Sequence, residues 1–353
     1  MLKDKLLRPI DPSNDHTPWL WIGTWSMGGE GFGSHDERES LRVLTAAVEN
    51  NIRHFDTAGF YARGMSEMLL QQIMKSDRPE LFISSKGGLV REGRKIKHCA
   101  SPDGLERQLF ESLDRMKTDY LDLYQLHWPD PEVPLDESID ALKTFQRQGL
   151  VRFWGVGNLT EQQVSDTLSE ERNIPHQVHF NPVRRNHRVL IAGRDRCINC
   201  IISPLEQGLL GSGKSSAGIS GIGKKDVRNR NPCFSDPAAM KWTSRLDELI
   251  RQYALTKISI ILMWTCSRPH VHAIIPGPRK IAQLDELLAF KADAEINDLV
   301  SSEEDTAILS DEKVRNIVPE VIWQHLERGI ETTRQDKDRN LYPQISQTKT
   351  QNE

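Results

Sequence analysis

Residues 101–128, SPDGLERQLFESLDRMKTDYLDLYQLHW, predict a helix followed by a strand. Ser101 and Pro102 are typical of a helix start, because serine caps free N–H groups and proline needs none at the first helical position. Leucines then recur at helical spacing, and the apolar run at 120–128 predicts a strand. A similar run, LFISSK at 81–86, precedes the helix. The segment therefore predicts a strand-helix-strand unit with parallel strands.

The same alternation runs along most of the chain. The predicted strands are WIGTWSM (21–27), HFDTA (54–58), LFISSK (81–86), YLDLYQLHW (120–128), FWGVGN (153–158), HQVHF (176–180), CIISPL (200–205) and HAIIPG (272–277). Eight such units close most naturally into a (β/α)8 TIM barrel, an α/β fold. The alternative is an open doubly wound sheet, whose glycine fingerprint MGGEGFG at 27–33 matches only loosely.

One domain is predicted over residues 1–332, with long loops over the barrel mouth, and the polar segment 333–353 is predicted to be disordered. Ser34 with Glu37, and Thr160 with Gln163, have the spacing of helix capping boxes. Residues 206–236 form a long connection, which we expect to cover the mouth.

Composition excludes several classes of protein. The 353 residues are 37% hydrophobic and 27% charged, with a net charge of -4, which is typical of a globular protein and gives no support for nucleic-acid binding. No apolar segment is long enough for a membrane span, and the first residues lack a signal peptide's apolar core, so a cytoplasmic location is expected. Cys197 and Cys200 form an isolated pair, which predicts ordinary partly buried thiols and no metal site.

Residues 208–215, GLLGSGKS, match the phosphate-binding pattern G-x-x-x-x-G-K-[ST]. That pattern requires a helix opening at the lysine. The following residues, SSAGISGIG at 215–223, lack apolar periodicity and predict a loop. A nucleotide hydrolase is therefore disfavoured, although a glycine-rich loop after a strand can still bind another phosphate.

Polar side chains stand at four predicted strand ends, namely Asp56, Lys86, His127 and Asn158, and Tyr61 follows Asp56 by five residues. Each alone has an ordinary structural explanation. Together they form a plausible proton donor, because an ammonium lowers the pKa of a nearby phenol and a carboxylate holds the ammonium. Carbonyl reduction would also need a hydride, which no side chain supplies and a nicotinamide cofactor does.

Several motifs occur here in the order seen in the aldo-keto reductase superfamily, which the chain resembles over residues 18–290. They are GTWSMGG, FDTAGFYARGMSE, SSKGG, QLHWPDP, GVGN, HQVHFN, SPLEQGLLGSG and IPGPRKIAQLDE, and the GTW..GG element is similar to bacterial-type members. The resemblance implies a (β/α)8 barrel that transfers a hydride between a nicotinamide cofactor and a small carbonyl compound or alcohol.

The resemblance also implies roles for individual residues. Tyr61 would be the general acid, Lys86 would lower its pKa, Asp56 would hold Lys86, and His127 would orient the carbonyl. The implied cofactor residues are Thr24, Trp25, Asp56, Asn158, Gln177, Ser203, Leu205, Gln207, Gly208, Gly211, Gly277, Arg279 and Gln283. Walls of the substrate pocket would come from Trp25, Phe60 and Trp128, completed by loops 87–103 and 225–236 and the C-terminal region.

The cofactor site departs from the family pattern. Ile202 replaces an aromatic that stacks on the nicotinamide, Leu287 an asparagine near the adenine, Gly157 a serine and Ala62 a glycine. These changes motivate the alternative of a nicotinamide-binding regulatory or scaffold subunit with little catalysis. Arg279 and its neighbour Lys280 favour NADPH over NADH.

The substrate and the oligomeric state do not follow from the sequence. One predicted loop holds Arg91, Arg94, Lys95, Lys97 and His98, which would favour an anionic carbonyl compound. A solvated basic surface is the other interpretation.

Overall fold

The computed structural model describes residues 19–29, 31–33, 36–93, 95–212, 218, 220, 222–224, 226–253, 255–296, 299 and 307–330. The expected boundary at 332/333 and the expected disordered tail lie outside these residues. No helix of the described part has both the length and the apolar character to cross a membrane.

Strands and helices alternate along the described chain. The strands are β1 (Trp21–Gly23), β2 (His54–Asp56), β3 (Phe82–Gly87), β4 (Leu89–Glu92), β5 (Lys95–His98), β6 (Leu121–Leu126), β7 (Val151–Gly157), β8 (Ile174–His179), β9 (Cys197–Ile202) and β10 (Ala273–Ile275). The helices are α1 (Glu37–Glu49), α2 (Met65–Asp77), α3 (Pro102–Met116), α4 (Leu135–Arg147), α5 (Glu161–Thr167), α6 (His187–Ala192), α7 (Pro237–Ile250), α8 (Lys257–Cys266), α9 (Ile281–Ile296), α10 (Asp311–Ile317) and α11 (Glu320–Arg328).

Eight parallel strands form one sheet in the order β1-β2-β3-β6-β7-β8-β9-β10. The two edges meet, because Leu20 pairs with Ile274 in a parallel bridge and the N–H of Gly23 donates to the carbonyl of Pro276 at 2.8 Å. The predicted (β/α)8 barrel is therefore confirmed. In this architecture the carboxyl ends of all eight strands face the same mouth.

Each of the eight predicted runs overlaps a barrel strand, but several predicted ends were wrong. The ninth strand begins at Cys197 rather than Cys200 and stops before Ser203, whose φ of 51° lies in the left-handed region. The segment 89–98, predicted as a loop, forms the antiparallel hairpin β4–β5. Its residues are largely polar, so they lack the apolar alternation by which a half-buried strand is recognised.

The structure has the predicted helix cap at two of the three helix starts for which the sequence predicted one. Ser101 accepts a hydrogen bond from the N–H of Gly104, and Thr160 forms the full capping box with Gln163. The predicted box at Ser34 and Glu37 was wrong. Helix α1 begins at Glu37, and the carboxylate of Asp36 caps it by accepting the N–H groups of the second and third helical residues. Aspartate and serine are equally good caps, so spacing alone did not separate them.

Aromatic rings fill the interior of the barrel at the amino-terminal ends of the strands, opposite the mouth. Trp21 stacks on His54 with ring centroids 5.4 Å apart, and His54 stacks on Phe82 at 4.9 Å. Phe82 in turn stacks on Phe153 at 6.2 Å. Because this layer is packed with side chains, the barrel is closed at this end and the polar groups above it face only the mouth.

A buried carboxylate joins three elements at the amino-terminal end of the strands. Asp122 is fully buried, and its two oxygens accept hydrogen bonds from Arg78 Nη1 at 2.7 Å and Arg152 Nη1 at 2.8 Å. The backbone N–H of Ile83 donates a third bond at 2.9 Å. Polar contacts at this end of a barrel serve stability rather than chemistry.

Replacing Asp122 with alanine should destabilise the protein, because two partly buried guanidinium groups would lose their shared partner. We expect the free energy of unfolding in urea to fall by about 3–5 kcal/mol, the cost of breaking a buried ion pair from one side. The exposed Asp119 is the matched control, and Asp119→Ala should change stability by less than about 0.5 kcal/mol. Equal stabilities of the two variants would contradict a structural role for Asp122.

Candidate active site

The polar strand ends named from the sequence do converge at the barrel mouth. Asp56 ends β2, Lys86 lies one residue before the end of β3, and His127 and Asn158 directly follow β6 and β7. Tyr61 opens a short 3-10 turn after β2. Parallel packing of neighbouring strands therefore brings together side chains that are up to about a hundred positions apart in the chain.

The ammonium of Lys86 is the centre of this group. Its Nζ lies 2.6 Å from Asp56 Oδ2, 2.7 Å from the carbonyl oxygen of Thr57 and 3.3 Å from Tyr61 Oη. The side chains of Lys86 and Asp56 are only 2% and 4% exposed. Because an ammonium has three N–H donors, these three acceptors satisfy it completely.

Asp56 is held from two further directions. Its Oδ1 accepts the hydroxyl of Ser84 at 3.0 Å and the side-chain amide of Gln177 at 2.6 Å. With Lys86 on the other oxygen, the carboxylate accepts three hydrogen bonds from three side chains. Gln177 was named only as a cofactor contact, and its bond to Asp56 across the barrel interior was not foreseen.

Burial controls the protonation of the site. It raises the pKa of Tyr61 well above its ordinary value of 10.0, and the negative charge of Asp56 adds to this effect. Burial and Asp56 therefore set the net direction of this shift, and the lowering contribution of Lys86 that the sequence analysis named stays a prediction. Burial also lowers the pKa of Lys86, opposed by Asp56. At neutral pH Tyr61 is a phenol that can donate a proton.

The imidazole of His127 is neutral as well. Burial lowers its pKa well below 6.5, and the positive charge of Lys86 lowers it further. The rings of Tyr61 and His127 meet edge to face with centroids 5.6 Å apart. Two neutral hydrogen-bond donors thus stand side by side, an arrangement suited to a single carbonyl oxygen.

Aromatic side chains lie around these donors, and their role as walls of a substrate pocket stays a prediction. Trp25 lies 6.2 Å from the ring of Tyr61 and 4.8 Å from that of Phe32, measured between centroids. Phe60 and His127 meet in a T-shaped contact with ring centroids 6.2 Å apart. Trp128, next to His127, is partly buried. These rings give the mouth apolar walls beside a few polar groups, which is the usual composition of a small-molecule site.

Two amides beside Asp56 and His127 have orientations suited to a carboxamide ligand. Asn158 takes a left-handed conformation with φ of 60°, and its amide nitrogen donates to the carbonyl of His127 at 2.9 Å. The amide nitrogen of Gln177 is bonded to Asp56, as described above. In both residues the carbonyl oxygen is then the end that can accept a ligand N–H. Thr24, by contrast, is fully buried, and its hydroxyl donates to the carbonyl of Asp56 at 3.1 Å.

The segment after β9 is a tight series of turns. Ser203, Glu206, Gln207 and Gly208 all have positive φ. The segment includes all five positions that the sequence analysis matched to a phosphate-binding loop, namely Ser203, Leu205, Gln207, Gly208 and Gly211. Most backbone N–H groups of this segment bond to its own carbonyls, for example those of Glu206, Gly208 and Gly211, which makes the turns tight.

Glu206 anchors this segment, and the sequence analysis did not single it out. It is fully buried, and its oxygens lie 2.9 Å from Arg184 Nη2, 2.9 Å from His179 Nε2 and 2.7 Å from Asn231 Nδ2. Burial alone would raise the pKa of Glu206, but the charges of His179 and Arg184 hold it well below its ordinary value. A charged residue inside the run SPLEQGLL was the one sequence signal that pointed to it.

The far end of the site holds two arginines. Arg279 Nη1 donates to the carbonyl of Phe32 at 2.5 Å, and its backbone N–H donates to Gln283 Oε1 at 2.7 Å. Arg228, which was not predicted, forms a bidentate pair with Asp226 at 2.8 and 2.7 Å. Burial lowers the pKa of Arg279, and the charge of Arg228 lowers it further, so the two cations lie near each other.

Gly277 stands beside these arginines, and a Cβ there would lie 3.1 Å from the carbonyl oxygen of Gly23. The backbone therefore passes close to the end of β1 at this position.

The nucleotide-hydrolase reading finds no support in the described chain. Lys214 and Ser215 lie outside the described residues. Between 218 and 236 the described residues include 3-10 turns at Val227–Arg230 and Pro232–Phe234, and the next α-helix begins only at Pro237. A helix that starts so far downstream cannot direct its amino terminus at a phosphate held by Lys214.

Cys197 and Cys200 are free, buried thiols on β9. Burial raises the pKa of Cys197 to about 12 and raises that of Cys200 as well. Both are therefore protonated and unreactive at neutral pH.

Two of the residues that depart from the family pattern, Ile202 and Leu287, pack against apolar side chains. Ile202 is partly buried and packs against the apolar cluster inside the barrel. Leu287 is 2% exposed and belongs to the main core between barrel and helices. Both are ordinary apolar packing positions here, and neither offers a ring or an amide to a ligand.

The chain also matches known proteins. The Aldo/keto reductase family model matches residues 20–303. The chain is 30% identical over 277 residues to the aldo-keto reductase YhdN of Bacillus subtilis (strain 168), a match that covers 76% of this chain and 83% of that protein. It is 26% identical over 292 residues to the NADH-specific methylglyoxal reductase of Escherichia coli (strain K12), covering 76% of this chain and 88% of that protein.

Among solved structures, the glycerol dehydrogenase AKR11B4 from Gluconobacter oxydans superposes with a TM-score of 0.72 at 22% identity. The match covers 93% of this chain and 97% of that chain. At this level of identity the likeness shows a shared barrel fold.

Backbone strain next to Tyr61 leads to a prediction. Ala62 has φ of 46° and ψ of 41°, a left-handed conformation that suits glycine. Ala62→Gly should therefore raise the free energy of unfolding by about 1 kcal/mol, measured by urea denaturation. Ala46 lies within α1 and is the control, since Ala46→Gly should lower stability by about 1 kcal/mol. Destabilisation by both changes would show that Ala62 is not strained.

Proposed function

Because the chain belongs to the aldo/keto reductase family, we propose that it is an NADPH-dependent oxidoreductase that reduces an aldehyde or ketone, or oxidises the matching alcohol or sugar. Tyr61 is the general acid/base of this reaction. The observation that carries the proposal is the position of Lys86 Nζ, 2.6 Å from Asp56 and 3.3 Å from Tyr61 Oη. A buried ammonium between a carboxylate and a phenol stabilises the phenolate that proton donation leaves behind.

A reduced nicotinamide, when bound, supplies the hydride that adds to the carbonyl carbon. Tyr61 donates its proton to the carbonyl oxygen, so the product alcohol receives one hydride and one proton. Neutral His127 donates a hydrogen bond to the same oxygen and orients it. Asp56 keeps Lys86 charged against the effect of burial, and Lys86 stabilises negative charge on Tyr61. The aromatic walls exclude water from the reacting atoms.

The rest of the site is proposed to hold the cofactor. Asn158 and Gln177 bind the carboxamide, and Thr24, Trp25 and Asp56 line the nicotinamide end. The turns with Ser203, Leu205, Gln207, Gly208 and Gly211 bind the pyrophosphate, and the match of GLLGSGKS to the nucleotide-hydrolase pattern is then accidental. Gly277, Arg279 and Gln283 bind the adenosine end.

The apolar Ile202 and Leu287 favour the alternative of a nicotinamide-binding regulatory or scaffold subunit. The cytoplasmic location stays a prediction.

Tyr61→Phe tests the proton donor. We expect turnover of carbonyl substrates by NADPH to fall at least about 100-fold, the usual contribution of general-acid catalysis. NADPH binding, followed by quenching of tryptophan fluorescence, should persist, because the ring remains. The exposed Tyr253 supplies the control, and Tyr253→Phe should keep full turnover. Turnover retained in Tyr61→Phe would refute the assignment.

Arg279→Met tests the choice of cofactor. Loss of a charged hydrogen bond to the 2'-phosphate should weaken NADPH binding about 10- to 100-fold and leave NADH binding nearly unchanged. The exposed Arg194, which precedes β9 at the amino-terminal end of the strands, supplies the control variant Arg194→Met, which should bind both cofactors as the unaltered protein does. Equal losses for both cofactors would contradict the role of Arg279. Binding of NADPH by the unaltered protein without turnover of any carbonyl compound would favour the regulatory alternative.

A further inference from the structure

The motif FDTAGFYARGMSE ends in a glutamate that the proposed reaction does not use. Glu67 lies in the first turn of α2, shortly after Tyr61 in the chain, and it is fully buried. A buried carboxylate is costly unless charged or hydrogen-bonding partners offset its removal from water. The partners of Glu67 lie on two other elements, one of which carries Lys86.

One oxygen of Glu67 is bound to β3. Glu67 Oε1 accepts the hydroxyl of Ser85 at 2.7 Å, and Ser85 directly precedes Lys86 on this strand. Side chains alternate along a strand, so Lys86 faces the barrel interior and Ser85 faces the surrounding helices. Burial lowers the pKa of Lys86, and the charges of Asp56 and then Glu67 oppose this effect. Glu67 therefore holds β3 from outside, directly behind the ammonium.

The other oxygen of Glu67 holds a guanidinium on α3. Arg115 Nε donates to Glu67 Oε2 at 2.5 Å, and the arginine side chain is 23% exposed. A second acid, Glu111, lies 3.6 Å from Arg115 Nη1 but is 53% exposed. Exposed ion pairs are weak, and breaking a buried one is costly, so the buried Glu67 determines where Arg115 lies.

Arg115 lies directly against the segment that carries Tyr61. A Cβ at Gly59 would stand 2.7 Å from Arg115 Nη2, and a Cβ at Gly64 would stand 2.6 Å from Arg115 Nε. Both distances are too short for a real contact, so glycine is what lets the backbone approach this closely. Gly64 also has φ of 88°, which favours glycine. The turn with Tyr61 thus rests on Arg115 at both of its ends.

We propose that Glu67 and Arg115 are positioning residues, which hold the Tyr61 turn and the Lys86 end of β3 at a fixed distance from each other. This rests on the proposed function. The distance that they set is the 3.3 Å from Lys86 Nζ to Tyr61 Oη, between groups on different elements. Both residues act through Tyr61 and Lys86, from the outer side of the barrel wall. A displacement of about 1 Å in a reacting group can lower a rate about 100-fold.

Glu67→Gln keeps the shape of the side chain and removes the charge that holds Arg115. We expect kcat for carbonyl reduction with NADPH to fall about 10- to 100-fold, while KM and NADPH binding change by less than about 2-fold. Arg115→Met should give the same split and serves as the second test if Glu67→Gln does not fold. Arg115→Lys should recover part of kcat, because it keeps a cation beside Glu67 without the planar guanidinium.

Two controls separate positioning from stability. Glu111→Gln removes the exposed acid of the same arginine and should leave kcat unchanged. Asp122→Asn alters another buried carboxylate that pairs with arginines and contacts β3, so it should lower stability in urea and leave kcat unchanged. An unchanged kcat in Arg115→Met, a loss carried by KM, or an equal loss of kcat in Asp122→Asn overturns the proposal.

The proposed function can fail separately from this inference. If the unaltered protein reduces no carbonyl compound, that function fails, and crystal structures of the unaltered protein and of Arg115→Met decide the inference. A Tyr61 Oη that moves beyond hydrogen-bond distance of Lys86 Nζ in the variant supports it. A Tyr61 Oη that stays within that distance in both proteins refutes it.

Discussion

The buried ion pair of Lys86 and Asp56 is the interaction on which the mouth of the barrel depends. Both charges are removed from water, and their attraction offsets this cost only because the remaining polar atoms are also satisfied. Thr57 and Tyr61 accept the remaining hydrogen bonds of the Lys86 ammonium. Ser84 and Gln177 donate the remaining hydrogen bonds to the Asp56 carboxylate. The pair thereby joins β2, β3 and β8 and holds Tyr61 against the barrel. Removal of any one partner leaves a charge or dipole unpaired in the interior.

The sequence was sufficient to predict the barrel fold and to predict that Asp56 and Lys86 lie at its mouth. Apolar runs mark strands, and a polar residue at the end of such a run in a parallel barrel faces the mouth, as Asp56 and Lys86 do. The hairpin β4–β5 escaped the same reasoning, because its polar residues lack an apolar face. The links from Glu206 to His179, Arg184 and Asn231 also escaped it, since no local pattern relates residues so far apart in the chain.

The direction of the pKa of Tyr61 shows a second limit of sequence reasoning. The strand order predicts that Lys86 lies close to Tyr61, but it does not predict how deeply Tyr61 is buried. Burial is the largest influence on the pKa of Tyr61. The raised pKa of Tyr61 and the lowered pKa of His127 follow from packing rather than from residue identity. The pairing of Leu89 with His98 and of Arg91 with Ile96 in the hairpin likewise follows from a register that only the structure supplies.

The single carboxylate of Glu206 has a consequence for how this chain can change during evolution. It serves the end of β8, the turns after β9 and the segment around Asn231 together. A lineage that loses the acid would bury Arg184 without its counter-charge, at a cost comparable to the whole stability margin of many domains. We therefore expect the positions 179, 184, 206 and 231 to be inherited as one unit, and the loop that they anchor to accept new side chains on its exposed surface without a change in its path.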